Sequence, residues 1–261
     1  MKRPPILFIS HGMPTMALQP GPTGAFLQSL GRKIPRPAAV LCVSAHWETV
    51  WPMITGTRRP ETIHDFGGFS RELHTLEYPA PGAPALAERA AGMLLDAGMD
   101  AQVAQSRGLD HGAWVPLSLM FPEADIPVIQ LSLQCDQGER HHFAMGEALA
   151  PLREDGVLLM GSGGVTHNLE AMQGRRPDDP PPEAVIAFDR WLADAAEAGR
   201  TEEILAYRQT APEPGVNHPY PAEHFLPLLS VLGAAGRDCP GRRIHRAFAY
   251  GVLSLSAFSW E

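Results

Sequence analysis

The segments LFISHG (residues 7–12) and VLCVSAHW (residues 40–47) each lead an apolar stretch directly into a histidine, His11 in the first and His46 in the second. Short continuous apolar runs of this kind are typical of strands that are buried on both faces. Because ligand sites in open α/β sheets lie beyond the carboxyl ends of the strands, we expect both imidazoles at one edge of a sheet, where they could share a metal ion. The alternative is that each histidine only ends its strand and bonds to the backbone.

The rest of the chain predicts the fold around these two strands. Further apolar runs are predicted strands, at residues 128–133 and 157–160, and more than one strand is predicted within residues 247–258. Amphipathic runs are predicted helices, at residues 85–97, 141–152, 184–197, 202–207 and 222–232. Alternation of strands and helices predicts an α/β fold, in which a single domain over residues 1–261 has a central, mostly parallel or mixed sheet flanked by helices on both faces. The chain has 261 residues, 44% of them hydrophobic, and is therefore long enough and apolar enough to bury such a core.

Composition excludes several classes of function. The 21 basic residues are scattered, and with 29 acidic residues they give a formal charge of −8, so nucleic acid is not an expected partner. Cys42, Cys135 and Cys239 lie far apart, which favours neither disulfides nor a thiolate zinc site and fits a reducing cytoplasm. No segment approaches the roughly 20 apolar residues of a membrane span, and the N-terminal apolar run is too short for a signal peptide. Nothing in the sequence indicates the oligomeric state.

Two further motifs present a histidine after a turn. In VLLMGSGGVTHNL (residues 157–169) a strand opens into a glycine-rich turn that presents His167, which we expect at the same sheet edge. In GLDHGAWVPL (residues 108–117) Asp110 is a candidate cap of the following helix. His111 is then expected to be exposed on the turn, where it is suited to proton transfer.

A third metal donor is predicted in PYPAEHFLPLL (residues 219–229), where Glu223 and His224 are expected in the first turn of a helix. Capping by Glu223 at the positive end of the helix explains the carboxylate but not the histidine. A third metal ligand would explain His224. Either side chain is chemically suitable, because zinc and ferrous iron accept both imidazole and carboxylate ligands.

Taken in order, these motifs resemble the class III, LigB-type extradiol ring-cleavage dioxygenases and, within them, the DOPA 4,5-dioxygenase branch. The likeness covers nearly the whole chain and includes TIHDFGGF (residues 62–69), YPAPG (residues 78–82) and IPVIQLSL (residues 126–133). It implies an enzyme that binds a small catechol-type diol and O2 at a mononuclear non-haem Fe(II). The implied reaction opens the ring beside the diol and gives a semialdehyde acid.

The resemblance also implies roles for the histidines. It makes His11, His46 and His224 the metal ligands, His167 the acid/base residue beside the metal, and His111 a second proton-transfer group. It leaves open whether His167 is a fourth ligand and whether Glu223 contributes. The wider family completes its site with a glutamate, whereas three imidazoles resemble a zinc site, so Zn(II) is an alternative occupant. Zinc lacks the redox chemistry that oxygen activation needs.

Two other functions fit parts of the pattern. One is a non-enzymatic metal-binding or interaction protein like the Memo proteins, and the other is a zinc hydrolase in which His167 activates a metal-bound water. The presence of both His111 and His167 favours an enzyme, because a binding protein needs no proton-transfer groups. No substrate-binding residue is identified, and the loop residues Arg71, Arg107 and Arg175 are only candidates for contacting a substrate carboxylate.

Overall fold

The computed structural model of the chain describes residues 3–261, and within that span it contains ten strands and ten α-helices. The strands are β1 (Ile6–Ser10), β2 (Ala39–Glu48), β3 (Met53–Thr55), β4 (Gln102–Ala104), β5 (Val128–Leu133), β6 (Val157–Gly163), β7 (Arg242–His245), β8 (Phe248–Ala249), β9 (Leu253–Ser254) and β10 (Ala257–Trp260). The helices are α1 (Gly21–Lys33), α2 (Pro84–Asp96), α3 (His111–Met120), α4 (Gly138–Leu149), α5 (Leu169–Met172), α6 (Glu183–Glu197), α7 (Thr201–Leu205), α8 (Tyr207–Thr210), α9 (Pro214–Asn217) and α10 (Leu226–Ala235).

One eight-stranded sheet forms the centre of the fold, in the order β4-β3-β5-β2-β6-β1-β10-β7. The four central strands β5, β2, β6 and β1 pair in parallel. Antiparallel pairs join β3 to β5, β10 to β1 and β7 to β10. The sheet is therefore mixed, and the expected α/β class is confirmed.

Alternate residues of the central strands enter two separate apolar cores, because successive side chains of a strand point to opposite faces. On one face, Phe8, Leu41 and Leu159 pack with α2, α4, α6 and α10. On the other face, Cys42 and Met160 pack with α1 and α3. Helices thus cover both faces of the sheet, as the sequence predicts.

The strands that lead to His11 and His46 are not neighbours in the sheet, although their 35-residue spacing is about that of one strand–helix–strand unit. Strand β6 lies between them and pairs with both, so that Ser162 is opposite Ile9 on one side and Ser44 on the other. All seven residues of β6 are buried, and a strand buried on both faces is stable only in the interior of a sheet.

Helix α10 begins later than the predicted helix at residues 222–232, so Glu223 and His224 lie in the turn before it. Pro227 lies in the first turn of α10, where proline is favoured because its missing N–H has no partner there in any case. The predicted C-terminal strands at residues 247–258 form as the three short strands β8, β9 and β10, with a turn at Gly251 in the left-handed region. No helix within residues 3–261 combines the length and the hydropathy that a membrane crossing requires.

Helices α4 and α10 pack in close contact at two glycines. A Cβ atom at Gly146 would lie 1.7 Å from the carbonyl oxygen of Ser230, and one at Gly233 would lie 1.9 Å from that of Phe143. Gly146→Ala is therefore expected to lower the free energy of unfolding by about 1–3 kcal/mol, measured by urea denaturation. Gly92→Ala, in helix α2 with no atom within 4 Å of the added Cβ, is the control and should stabilise by about 0.5–1 kcal/mol. Equal effects of the two substitutions would contradict the packing argument.

Candidate active site

Five imidazoles meet beyond the carboxyl ends of the central strands. His11 follows β1, His46 lies near the end of β2, His111 begins α3, His167 follows β6 and His224 precedes α10. All five line one cavity of about 360 Å³. The structure therefore brings together every histidine that the sequence singled out.

Ring contacts connect the five imidazoles into one cluster. The ring centroids of His11, His46 and His224 lie 4.9–5.2 Å from one another. The ring of His167 stacks on that of His224, with centroids 3.4 Å apart and planes 9° apart. On the other side of the cluster, the centroid of His111 lies 3.9 Å from that of His46. His11, His46 and His224 thus form the middle of the cluster, and the other two imidazoles flank it.

The bond between His11 and Ser162 fixes the tautomer of His11. The Ser162 hydroxyl donates to the carbonyl of Gly112, so it accepts from the Nδ1–H of His11 at 3.0 Å. The Nε2 atom of His11 then carries the lone pair, and it faces the Nε2 atom of His46 at 3.0 Å.

A comparable arrangement holds His224. Its Nδ1 atom donates to the Glu223 carboxylate at 2.8 Å, while its Nε2 atom is buried and has no hydrogen-bond partner. The glycine-rich end of β6 allows this placement, because a Cβ atom at Gly163 would lie 2.1 Å from the carbonyl oxygen of His224. The N–H of Gly164 donates to the same carbonyl at 2.9 Å.

His111 is buried at the start of α3, with 6% of its surface exposed, so the expectation of an exposed turn is wrong. The loop at residues 62–69 covers it, and Asp65 accepts the backbone N–H of His111 at 2.9 Å. Capping of α3 by Asp110 is confirmed, since its side chain accepts the N–H of Ala113 at 3.3 Å. Asp110 is itself buried and also accepts from Ser44 at 2.7 Å.

The structure gives little support to the three arginines considered for substrate binding. Arg107 donates to Asp110 at 3.2 Å and lies over the ring of Trp47 at 5.0 Å from its centroid. Arg71 and Arg175 do not line the cavity, and among residues 3–261 no other lysine or arginine does so.

Sequence reasoning missed the remaining walls of the cavity. The apolar part of the lining, called the apolar wall below, includes Met13, Pro14, Phe66, Phe69, Leu169 and Met172. The carboxylate of Asp65 contributes to another wall. The aromatic, glycine-containing loop at residues 62–69 was the available signal for Phe66, Phe69 and Asp65, but no periodicity predicts that such a loop folds over a distant strand end.

His11, His46, His167 and His224 are poor bases in the folded protein. Burial, followed by repulsion from neighbouring imidazoles, holds the pKa values of His11 and His224 well below their usual range. Burial and the proximity of His111 lower the pKa of His46 to about 3 and that of His167 to about 4. These four side chains are therefore neutral at pH 7, with lone pairs free to bind a cation.

The donor set fits a divalent metal ion. Two nitrogens bound about 2.1 Å from one metal at angles of 90–109° lie about 3.0–3.4 Å apart, which matches the Nε2–Nε2 distance of 3.0 Å between His11 and His46. The unpartnered Nε2 atom of His224 is a third candidate donor. Donor atoms within 4.8 Å of one another form two groups, His11 with His46 and His111, and His167 with Glu223 and His224.

Comparison with known proteins gives a family match over most of the chain. Residues 4–257 match the family described as "Catalytic LigB subunit of aromatic ring-opening dioxygenase". The chain is 44% identical to a Beta vulgaris protein named "4,5-DOPA dioxygenase extradiol", over 97% of this chain and 95% of the relative. It is 40% identical to an Escherichia coli K12 protein of the same name, over 89% and 85%. A crystal structure of an uncharacterized E. coli K12 protein superposes with a TM-score of 0.79 at 33% identity, covering 98% of this chain and 99% of that one.

The lowered imidazole pKa values predict acid sensitivity of the metal-free protein. Unfolded imidazoles bind protons below a pKa of about 6.5, whereas folded His167 does so only near 4, so the free energy of unfolding should decrease as the pH falls from about 6.5 to 4. In His167→Gln, the unfolding free energy from urea denaturation should depend less steeply on pH over this range, by up to about 1.4 kcal/mol per pH unit. An unchanged slope would mean that folded His167 titrates like an unfolded histidine.

Proposed function

The chain belongs to the LigB family of aromatic ring-opening dioxygenases and is a ring-cleavage dioxygenase, and we propose that it opens a catechol-type ring beside the diol with O2 and Fe(II), giving a semialdehyde acid. The observation that carries this proposal is the cavity lined by five imidazoles. Relatives named for DOPA support a single-ring catechol as the substrate class.

The proposed metal ligands are the Nε2 atoms of His11, His46 and His224. Their rings contact one another, and hydrogen bonds to Ser162 and Glu223 leave the Nε2 lone pairs of His11 and His224 free. When bound, a divalent metal would favour ionisation of a catechol hydroxyl by charge stabilisation, and iron would also supply the redox chemistry for O2. Zinc fits the same donors and is the proposed occupant of an inactive form.

His167 and His111 are the proposed proton-transfer groups. Each contacts a different proposed ligand: the ring of His167 stacks on that of His224, and the ring of His111 contacts that of His46. The two groups therefore flank the proposed metal position on two sides. His167 is neutral because its pKa is lowered to about 4, so its Nε2 atom is ready to accept the second catechol proton. A group on the opposite side can then return a proton to the opening ring.

The apolar wall has the complementary role of holding the aromatic ring. Phe66, Phe69 and Met172 offer ring and thioether surfaces, which contact a flat ring favourably and exclude water from the reacting atoms.

We also propose that the enzyme is located in the cytoplasm. Its cysteines are free, and a reducing compartment keeps both thiols and ferrous iron reduced.

Oxygen consumption tests the proposed reaction. Protein loaded anaerobically with Fe(II) is expected to consume one O2 per 4-methylcatechol and to form a yellow ring-opened product, followed with an oxygen electrode and by absorbance. The zinc-loaded protein should consume none. Guaiacol, in which one hydroxyl is methylated, is the matched control substrate and should not react. Hydrolase activity of the zinc form without O2 uptake by the iron form would contradict the proposal.

Substitution of single histidines tests the proposed roles. Alanine at His11, His46 or His224 is expected to abolish stoichiometric metal binding, measured by metal analysis after dialysis. His167→Ala should retain the metal but lose about 10²–10⁴-fold in kcat, as removal of a general base does, and His111→Ala should also retain the metal. His245→Gln, on β7 away from the cavity, serves as the control. Full turnover by iron-loaded His167→Ala would show that the base lies elsewhere.

A further inference from the structure

Two carboxylates, Asp65 and Glu223, each face two of the five imidazoles. Asp65 Oδ1 lies 3.0 Å from Nδ1 of His111, and its Oδ2 lies 3.7 Å from Nδ1 of His46. Glu223 Oε1 lies 2.8 Å from Nδ1 of His224 and 4.0 Å from Nδ1 of His167. The two arrangements have the same form, with one short and one longer contact, always to the Nδ1 atom.

Each carboxylate faces one proposed metal ligand and one proposed proton-transfer residue. Asp65 faces the ligand His46 together with His111, while Glu223 faces the ligand His224 together with His167. Within residues 3–261, neither carboxylate forms an ion pair with a lysine or arginine. Their nearest titratable side chains are therefore the imidazoles.

The loop that carries Asp65 is held rigidly against α3. The N–H of Ile63 donates to the carbonyl of Leu109 at 2.8 Å, and the N–H of Leu109 donates to that of Glu61 at 2.8 Å. The Trp114 indole donates to the carbonyl of Ile63 at 3.0 Å. These bonds hold the backbone on both sides of the contact, so the charge of Asp65 stays 3.0 Å from Nδ1 of His111, although the two atoms do not have hydrogen-bond geometry.

Glu223 is fixed by a different device, because it directly precedes the histidine that it contacts. The carbonyl of His224 accepts from Gly164, which attaches this turn to the end of β6. The side chain of Glu223 keeps 31% of its surface exposed, whereas that of His224 keeps 5%. Glu223 therefore closes the solvent side of the contact while the Nε2 atom of His224 stays buried.

We propose that Asp65 and Glu223 are a pair of positioning carboxylates, each of which favours the Nδ1–H tautomer in the metal-ligand histidine and the proton-transfer histidine that it faces. Glu223 does so at His224 through a hydrogen bond. The contacts of Asp65 with His111 and His46, and of Glu223 with His167, lie outside hydrogen-bond geometry and act through the negative charge beside Nδ1. Carboxylates that accept the second N–H of a ligand histidine fix its orientation and raise its basicity as a ligand. The division into ligands and proton-transfer groups rests on the proposed function. The tautomers themselves are a property of the metal-free chain.

Isosteric amides separate this role from an ordinary structural one. Asp65→Asn keeps an oxygen that can accept the backbone N–H of His111, so the start of α3 remains capped while the negative charge is lost. Glu223→Gln removes the charge beside His224 without a change in size. Glu170→Gln, at an exposed position of α5, is the matched control because it removes one charge nearby without touching an imidazole.

Two measurements without substrate test the proposal. The zinc dissociation constant, from competition with a chromophoric chelator, is expected to rise about 10–100-fold in Asp65→Asn and Glu223→Gln and less than about 2-fold in Glu170→Gln. Long-range ¹H–¹⁵N spectra of the metal-free protein should show a loss of the Nδ1–H form. Asp65→Asn should affect His111 most and leave His224 unchanged, and Glu223→Gln should give the reverse.

Unchanged zinc affinity and unchanged tautomers in both variants would overturn the proposal. So would an equal effect on all five imidazoles, or an equal loss of affinity in Glu170→Gln, because either would indicate a general change of charge or structure. If Asp65→Asn fails to fold, the partly exposed Glu223 tolerates an isosteric change, and Glu223→Gln then tests the proposal. Neither measurement uses a catechol or O2, so a protein that shows the tautomer pattern but cleaves no catechol contradicts only the proposed function.

Discussion

The parallel pairing of β6 with both β1 and β2 is the constraint on which the site depends. Its register puts Ser162 opposite Ile9 and Ser44, so the chain segments after all three strands emerge at one level. Ser162 then binds His11 directly, and the glycines that follow it admit the backbone of His224. A side chain at position 163 would displace that backbone. The central strand therefore sets both the location and the spacing of the imidazole cluster.

A second layer of polar contacts fixes the ends of these strands. Buried Asp189 on α6 accepts hydrogen bonds from Ser254 at 2.7 Å and from Arg246 at 2.9 Å, and so ties the C-terminal segment to the helix. The carbonyl of Ser256 in that segment accepts from Ser10, the residue before His11. Thr166, the residue before His167, donates to Val252 in the same segment at 2.8 Å. A carboxylate far from the cavity thus helps to orient two of its histidines, at the expense of burying a charge that only several donors can offset.

The sequence was sufficient for the parts of the fold and site that follow from local patterns. Apolar runs that end in a histidine located His11 and His46, and a glycine-rich turn located His167, because strand ends and turns have local signatures. The insertion of β6 between β1 and β2 depends on non-local pairing, which no spacing in the chain encodes. The burial of His111 has the same origin, since a loop 46 residues earlier in the chain covers it. The motif at residues 62–69 contains Asp65, but the sequence does not indicate that this carboxylate faces His46 and His111.

The charge balance of the site follows from the proposed ligand set. Three neutral imidazoles leave the full double charge of a divalent ion to be balanced by whatever binds next, whereas a carboxylate ligand would already offset half of it. The carboxylates of Asp65 and Glu223 lie near the Nδ1 atoms of the rings, and under the proposed ligand set they would act on the metal only through the imidazoles. The two negative charges of a doubly ionised catechol would balance the two positive charges of such an ion. The apolar wall keeps water from competing with the catechol for the metal. Under this assignment, the same arrangement that makes the imidazoles poor bases also makes the metal a strong attractor for a diol.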